Sequence, residues 1–243
     1  MSKDFAIIYW GMLRSLPSVY ESHKRNIYNI LESNKFTYDV YAHTWNAKEH
    51  YVWTNKSNNE IDNSNINILN CKEYEIGDQD EFLENLDFSL YFKQHIYDKH
   101  GVARSLNFRG EWDPQLLKNH LCALESLKKS FTLAETSDTK YKYVMFVRPD
   151  IRYTTPINSD WIRGLKDKEI ILSQREAWDG ANDRWGIINY KDADIYAKRI
   201  DKAAEYRNRP QNQRISAESY LHHTLKVNQI KIISVDLRHS IIR

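Results

Sequence analysis

The chain has 243 residues and a mass of 29.0 kDa, a length that fits one large α/β domain better than two small ones. Its 35 Lys and Arg against 33 Asp and Glu leave a formal charge of +2, which excludes broad electrostatic wrapping of nucleic acid or an anionic membrane but allows a local basic pocket. None of the 7 glycines falls in Gly-x-Gly-x-x-Gly or Gly-x-x-x-x-Gly-Lys spacing, so a Rossmann dinucleotide fingerprint and a P-loop are excluded, and any phosphate must be held another way.

Residues 5–10, Phe-Ala-Ile-Ile-Tyr-Trp, are apolar and β-rich and predict a first strand, followed after Gly11 by a loop and a helical pattern through Tyr20, Ile27, Ile30 and Leu31. The apolar run ends at Arg14, too short for a membrane span and without a small-residue cleavage site. Residues 38–43 alternate as a second strand, which completes a β-α-β unit expected to be parallel and right-handed, with its strand exits facing a crevice. Residues 54–65 are polar and aperiodic and predict a surface loop. Residues 66–69 read as a short strand, and residues 79–100 as a helix carrying Phe82, Leu83, Leu86, Leu90 and Ile96, with Gly101 as its stop.

Asp113-Pro114 supplies an N-cap and a first-turn proline for a helix whose inner face is Leu116, Leu117, His120, Leu121, Leu124 and Leu127. Residues 143–147, Tyr-Val-Met-Phe-Val, form an unbroken apolar run of central-strand type. Further strands are expected at 170–172, 185–189 and 230–235, and helices at 191–207 and 217–226. This alternation predicts a single-domain α/β sandwich over residues 1–243 with a mostly parallel central sheet. Cys71 and Cys122 are the only cysteines, and there is no Cys-x-x-Cys or His-Glu-x-x-His; zinc ribbons, redox dithiols and zincin sites are excluded, and the composition fits a reducing, cytoplasmic setting.

Charged residues cluster where strands end. Arg148-Pro149-Asp150-Ile151-Arg152 follows the central strand directly, the position at which α/β sheets place ligands. The strand, the acid and the following Thr154-Thr155-Pro156-Ile157 resemble the Asp-x-Asp region of GT-A glycosyltransferases, with Arg148 standing where the first acid would be. Gly11-x-x-Arg14 after the first strand, His43-Thr44-Trp45 after the second and Asn182-Asp183-Arg184-Trp185 before a late strand are similar to pieces of the glycosyltransferase-like proteins of large algal viruses, plants and bacteria. The resemblance runs over most of the chain and implies a GT-A-like, Rossmann-like α/β/α sandwich acting as a hexosyl- or pentosyltransferase. It implies a UDP- or GDP-sugar donor over the strand ends, bound near Gly11, Arg14, His43, Trp45, Arg148, Asp150 and Arg152, with a glycan or glycoprotein hydroxyl as acceptor. It also implies that Asp150 holds a divalent cation, Mn²⁺ or Mg²⁺, or the donor; from its place near the C-terminus His239 is a candidate second ligand, although a lone histidine more often has a structural role.

The chemistry asks for the same groups. A nucleoside diphosphate that leaves a sugar gathers negative charge, which a divalent cation or fixed Arg side chains such as Arg14, Arg148 and Arg152 must offset. The acceptor hydroxyl must lose its proton, and Asp179, Asp183 and Glu218 are the carboxylates placed to take it. Asp183 is preferred because Trp178 and Trp185 flank its loop and offer faces for a sugar. Glu218 also fits a helix start, and Asp183 a turn or a pair with Arg184. The literal Asp78-Gln79-Asp80 opens a helix and reads as its cap. Two alternatives remain: a sulfotransferase-like enzyme, from Gly11-Met12-Leu13-Arg14-Ser15 after the first strand, and a non-catalytic nucleotide- or sugar-binding domain.

Overall fold

Alternate side chains of the opening strand enter two different apolar layers, and this sets the architecture. The computed structural model describes residues 1–47, 62–92, 95–97, 103–105, 114–177, 180–209 and 215–242. In β1 (Ser2–Trp10), Phe5, Ile7 and Tyr9 pack with Ile27 and Leu31, while Ala6, Ile8 and Trp10 pack with Leu127 and Phe131 on the other face. Ile27 and Leu31 are four residues apart on a helical path made of α1 (Leu16–His23), a π-helical turn (Lys24–Tyr28) and α2 (Asn29–Ser33). Each fully buried aliphatic or aromatic side chain contributes about 1.5–3 kcal/mol, so both faces of the strand are strongly specified.

The strands that follow are β2 (Tyr38–Asn46), β3 (Glu73–Asp78), a β4–β5 hairpin (His95–Tyr97 and Ala103–Ser105), β6 (Lys140–Val147), β7 (Ile151–Tyr153), β8 (Glu169–Ser173), β9 (Trp185–Asn189), β10 (Lys231–Val235) and β11 (His239–Ile241). Seven of them form one sheet in the order β10-β8-β9-β6-β1-β2-β3, in which only β9 runs against its neighbours. β7 and β11 form a separate antiparallel pair. The remaining helices are α3 (Gln79–Asn85), the 22-residue α4 (Pro114–Glu135), α5 (Ser159–Arg163), α6 (Ala193–Ala197), α7 (Ala203–Arg207) and α8 (Ala217–Val227). The expected α/β sandwich with a mostly parallel sheet and its opening parallel β-α-β unit is therefore the observed fold. No helix among the described residues is long and apolar enough to cross a membrane.

Several local expectations differ from what forms. Residues 66–69 belong to a 3₁₀ helix (Asn63–Leu69), because Asp62 caps it by accepting the Ser64 N–H at 2.9 Å and Asn70 leaves it in the left-handed region. The helix expected over 79–100 stops at Asn85. Asp87 accepts the Ser89 N–H at 3.1 Å and starts a 3₁₀ turn (Phe88–Leu90), and Ile96 lies in β4. The helix expected over 191–207 is divided into α6, a 3₁₀ turn (Arg199–Lys202) and α7. Asp78 is a cap, accepting the Glu81 N–H at 3.0 Å. Residues 54–61, Gly101 and Asp113 lie outside the described residues.

Candidate functional site

The exit of β1 turns on Gly11, whose φ of +92° suits a residue without a Cβ. Its N–H donates to Ser126 Oγ of α4 at 2.8 Å. That hydroxyl spends its single proton on the His43 carbonyl at 2.9 Å, so in the third contact, 2.9 Å from His43 Nδ1, the imidazole is the donor. Ser126 thus ties the exits of β1 and β2 to α4.

At the exit of β6, Arg148 grips Asp150 with a two-pronged ion pair, Nε to Oδ1 at 3.1 Å and Nη2 to Oδ2 at 2.7 Å. Burial pushes the Asp150 carboxyl up, but Arg148 and then Arg14 outweigh it and hold the group below the usual carboxylate range. Burial likewise works against the Arg148 charge, and the nearby Asp150 and Asp183 carboxylates more than offset it. The Asp150 carbonyl accepts the Ile242 N–H at 2.8 Å, and Ser15 Oγ donates to the Ile242 carbonyl at 2.7 Å, so the C-terminal segment clamps this turn from behind.

Because β9 is antiparallel to β6, the residues that enter β9 lie beside the residues that leave β6. Val147 pairs with Trp185, and the Arg148 N–H donates to the Arg184 carbonyl at 3.1 Å. Asn182 fixes this approach: its Oδ1 accepts the Arg184 N–H at 3.0 Å and its Nδ2 donates to the Arg175 carbonyl at 2.7 Å. Tyr196 Oη donates to the Asp183 carbonyl at 2.9 Å, and Arg184 forms an ion pair with Glu176. One step earlier, the Ala181 N–H donates to the Glu218 carbonyl at 3.0 Å. A Cβ on Gly180 would lie 2.4 Å from that same carbonyl, so glycine permits the loop to rest on the first turn of α8. Glu218 is thereby delivered next to Asp183. Burial and then the Asp183 charge raise its carboxyl pKa.

These exits enclose a cavity of about 320 Å³. Of the residues expected from sequence, Gly11, Arg14, Trp45, Arg148, Asp150, Asp183 and Glu218 line it. Trp45 is a wall: its Nε1 donates to the Cys122 carbonyl at 2.9 Å and its ring is buried. Three expected residues lie elsewhere. His43 is fully buried behind Trp45, Arg152 is turned to solvent between the buried Ile151 and Tyr153 of β7, and His239 Nδ1 donates to the Leu237 carbonyl at 3.0 Å. Asp179 and Trp178 lie outside the described residues, and Trp185, fully buried in the core, offers no face to a sugar. Burial pushes both cysteine thiols up to about 12, so neither is a thiolate nucleophile at neutral pH.

Two cavity residues escaped the sequence reading. His120 reads there as one more member of an apolar helix face, yet it lines the cavity with Nε2 buried and without a hydrogen-bond partner. Burial lowers its pKa to about 4, with Asp183 acting upward and Arg199 and Arg148 downward, so the ring is neutral at pH 7. Arg199 lies in the stretch expected as a helix over 191–207, within the charged run Lys198-Arg199-Ile200-Asp201-Lys202, where the sequence marks no site residue. It is only 3% exposed; Nη1 donates to the Tyr196 carbonyl at 2.5 Å, the guanidinium lies 4.4 Å from the Tyr196 ring centroid, and Nε is buried without a partner.

The residues present do not suit the expected Mn²⁺ or Mg²⁺. Both Asp150 oxygens already accept from the Arg148 guanidinium, and His239 is outside the cavity, where burial and, to a lesser extent, Arg184, Arg148 and Arg175 oppose positive charge. No group of three His, Cys, Asp or Glu able to hold a metal occurs among the described residues.

The chain matches no family model and no curated protein. Among solved structures it is similar to a glycosyltransferase involved in the glycosylation of the major capsid of PBCV-1, at 8% identity over 96% of this chain and 82% of that one, with a TM-score of 0.43. It is also similar to mouse xyloside xylosyltransferase 1 in its apo form, at 9% identity over 97% of this chain and 85% of that one, with a TM-score of 0.43. Both of these proteins are glycosyltransferases.

Proposed function

We propose that the chain is a nucleotide-sugar-dependent glycosyltransferase, a single catalytic domain that moves a hexosyl or pentosyl group from a UDP- or GDP-sugar to a hydroxyl of a glycan or glycoprotein. The observation that carries this reading is the meeting, in one cavity at the sheet's strand exits, of Arg148 and Arg14 with two carboxylates, Asp183 and Glu218. In the transfer, the acceptor oxygen bonds to the anomeric carbon while the bond from that carbon to the phosphate oxygen breaks. The bonding pair stays on the diphosphate and the hydroxyl proton passes to a carboxylate.

Glu218 is the proton acceptor in this proposal, because a base works best with a pKa raised toward the working pH, and burial and Asp183 raise it. Asp183 is the positioning charge that tunes it. Glu218→Gln is expected to lower kcat by about 10² to 10⁴ with donor affinity retained. Asp183→Asn is expected to move the acid limb of the pH–rate profile to lower pH. Full kcat in Glu218→Gln would remove that residue from the mechanism. The sulfotransferase alternative is tested in the same assay: stabilisation by phosphoadenosine phosphate and by no UDP or GDP compound would replace the proposal.

A further inference from the structure

Resting on that glycosyltransferase reading, we infer that the donor diphosphate is held and neutralised by guanidinium groups, Arg148 foremost, and that no divalent cation takes part. The argument starts from Asp150. A carboxylate at the exit of a central strand would ordinarily serve a cation, but here each of its oxygens receives an N–H from Arg148, at 3.1 and 2.7 Å, in a turn that is 6% exposed at Asp150. A cation at this carboxylate has to share its oxygens with, and remain beside, a guanidinium that cannot lose its charge. Arg14, the second positive influence on Asp150, lines the same wall.

The same fork makes Arg148 a prepared anion site. A guanidinium carries five N–H groups, and Asp150 uses two of those on Arg148, which leaves three on a side chain that lines the cavity. Asp150 is then a positioning residue, orienting the guanidinium as a metal would be oriented by its ligands. Arg199 Nε, buried at the cavity wall without a partner, is the second observation: a buried N–H left unpaired is costly, and a phosphate or ribose oxygen would satisfy it, while the equally unpartnered His120 Nε2 beside it is open to a hydroxyl of the ligand. Arg14, Arg148 and Arg199 line the cavity with the carboxylates Asp150, Asp183 and Glu218, while Arg184 is paired with Glu176, so an entering diphosphate meets guanidinium groups on the same wall as Asp150. When the sugar–phosphate bond breaks, the charge gathered on the leaving diphosphate meets fixed N–H donors in a sheltered site.

Titration of the full chain with UDP and with GDP, each in EDTA and in Mn²⁺, tests this directly. The expected result is a Kd for the preferred nucleotide that agrees within about twofold between the two conditions, with Mn²⁺ alone leaving the melting temperature unchanged. Arg148→Asp is expected to weaken nucleotide binding in EDTA at least tenfold and to recover affinity on addition of Mn²⁺; Arg148→Lys, which keeps the charge and loses the fork, is the second variant should the first not fold. Binding by the unaltered chain that is lost in EDTA and restored tenfold or more by Mn²⁺ overturns the inference while leaving the glycosyltransferase reading intact. Binding in EDTA with no sugar ever transferred does the reverse. No nucleotide binding under either condition overturns both.

Discussion

One hydroxyl, Ser126 Oγ, serves the Gly11 N–H, the His43 carbonyl and His43 Nδ1 behind the cavity wall. Ser126→Ala leaves the buried His43 Nδ1–H and the half-buried Gly11 N–H without their acceptor and is expected to cost about 1–3 kcal/mol, a fall in melting temperature on the order of 2–4 °C per kcal/mol in a chain of this size. A melting curve superimposable on that of the parent chain would contradict the role given to this hydroxyl. Histidine burial carries a pH consequence. His23 and His43 are fully buried and each has its pKa lowered by burial to about 4. An imidazole whose folded pKa lies below its unfolded value of about 6.5 binds more protons unfolded, so its contribution is complete above pH 6.5 and is lost as the pH falls toward 4. Each group loses up to about 1.4 kcal/mol per pH unit in that window, and Glu125 and Glu218, whose pKa values are raised, act in the opposite sense. Melting temperatures recorded from pH 7 to 4.5 are expected to drop, and a flat profile would show that these rings are not held neutral. At this scale the sequence announced Arg148 and Asp150 through their place after an apolar run. It hid His120 and Arg199, because an imidazole on a leucine face and an arginine in a charged run have ordinary structural readings, and only the packing of α4 against the 3₁₀ turn (Arg199–Lys202) brings them to one wall.

Elements were legible where one period and one boundary signal agreed. The buried strands β1 and β6 and the helices α4 and α8 follow directly from apolar runs and 3.6-residue spacing. The edge strand β3 did not, since Glu73, Tyr74, Glu75 and Ile76 leave it with little buried surface to mark a face, and exposed Tyr74 and Ile76 blur the alternation further. The helix expected to continue beyond Asn85 failed for a local reason, the Asp87 side chain competing for the backbone N–H of Ser89. The junction between the Gly180 loop and α8 was invisible in sequence, because it depends on a backbone-to-backbone approach across nearly forty residues of chain. Its consequence is sharp. Gly180→Ala places a methyl group where the Glu218 carbonyl now lies, 2.4 Å from the new Cβ, so either the loop or the first turn of α8 must move. Displacing a reacting group by about 1 Å costs on the order of 10²-fold in rate, so this variant is expected to lose kcat much as Glu218→Gln does while retaining nucleotide affinity. Gly180→Ala with normal turnover would show that α8 does not position the base.

Over the whole molecule, the site exists because a single strand is reversed. In an all-parallel sheet the residues before a strand and those after its neighbour lie at opposite edges; β9 runs against β6, so Asp183 and Arg184 arrive beside Arg148 and Asp150. The sequence established that charged segments follow or precede strands, but strand direction is a tertiary property, and for that reason Asp183 and Glu218 were named while their convergence with the Arg148 pair was not derivable. The same is true of the C-terminal segment. β11 adds to β7 through the register His239–Tyr153, Ser240–Arg152 and Ile241–Ile151, Ile241 lines the cavity, and Ile242 bonds both Asp150 and Ser15. Truncation after Arg238 removes this clamp without touching any group that faces a ligand through charge. The lost ladder and the exposed Ile151 side are expected to cost about 2 kcal/mol, or roughly 4–8 °C in melting temperature. More telling is the coupling to ligand: with the Asp150 carbonyl released, the Arg148 fork loses its fixed partner, and the stabilisation by saturating nucleotide, about 2.7 kcal/mol at a hundred times Kd in the parent chain, should shrink in the truncated chain at the same nucleotide concentration. A truncated chain that melts lower yet gains the full nucleotide-induced shift would separate the clamp from the site and confine its role to stability.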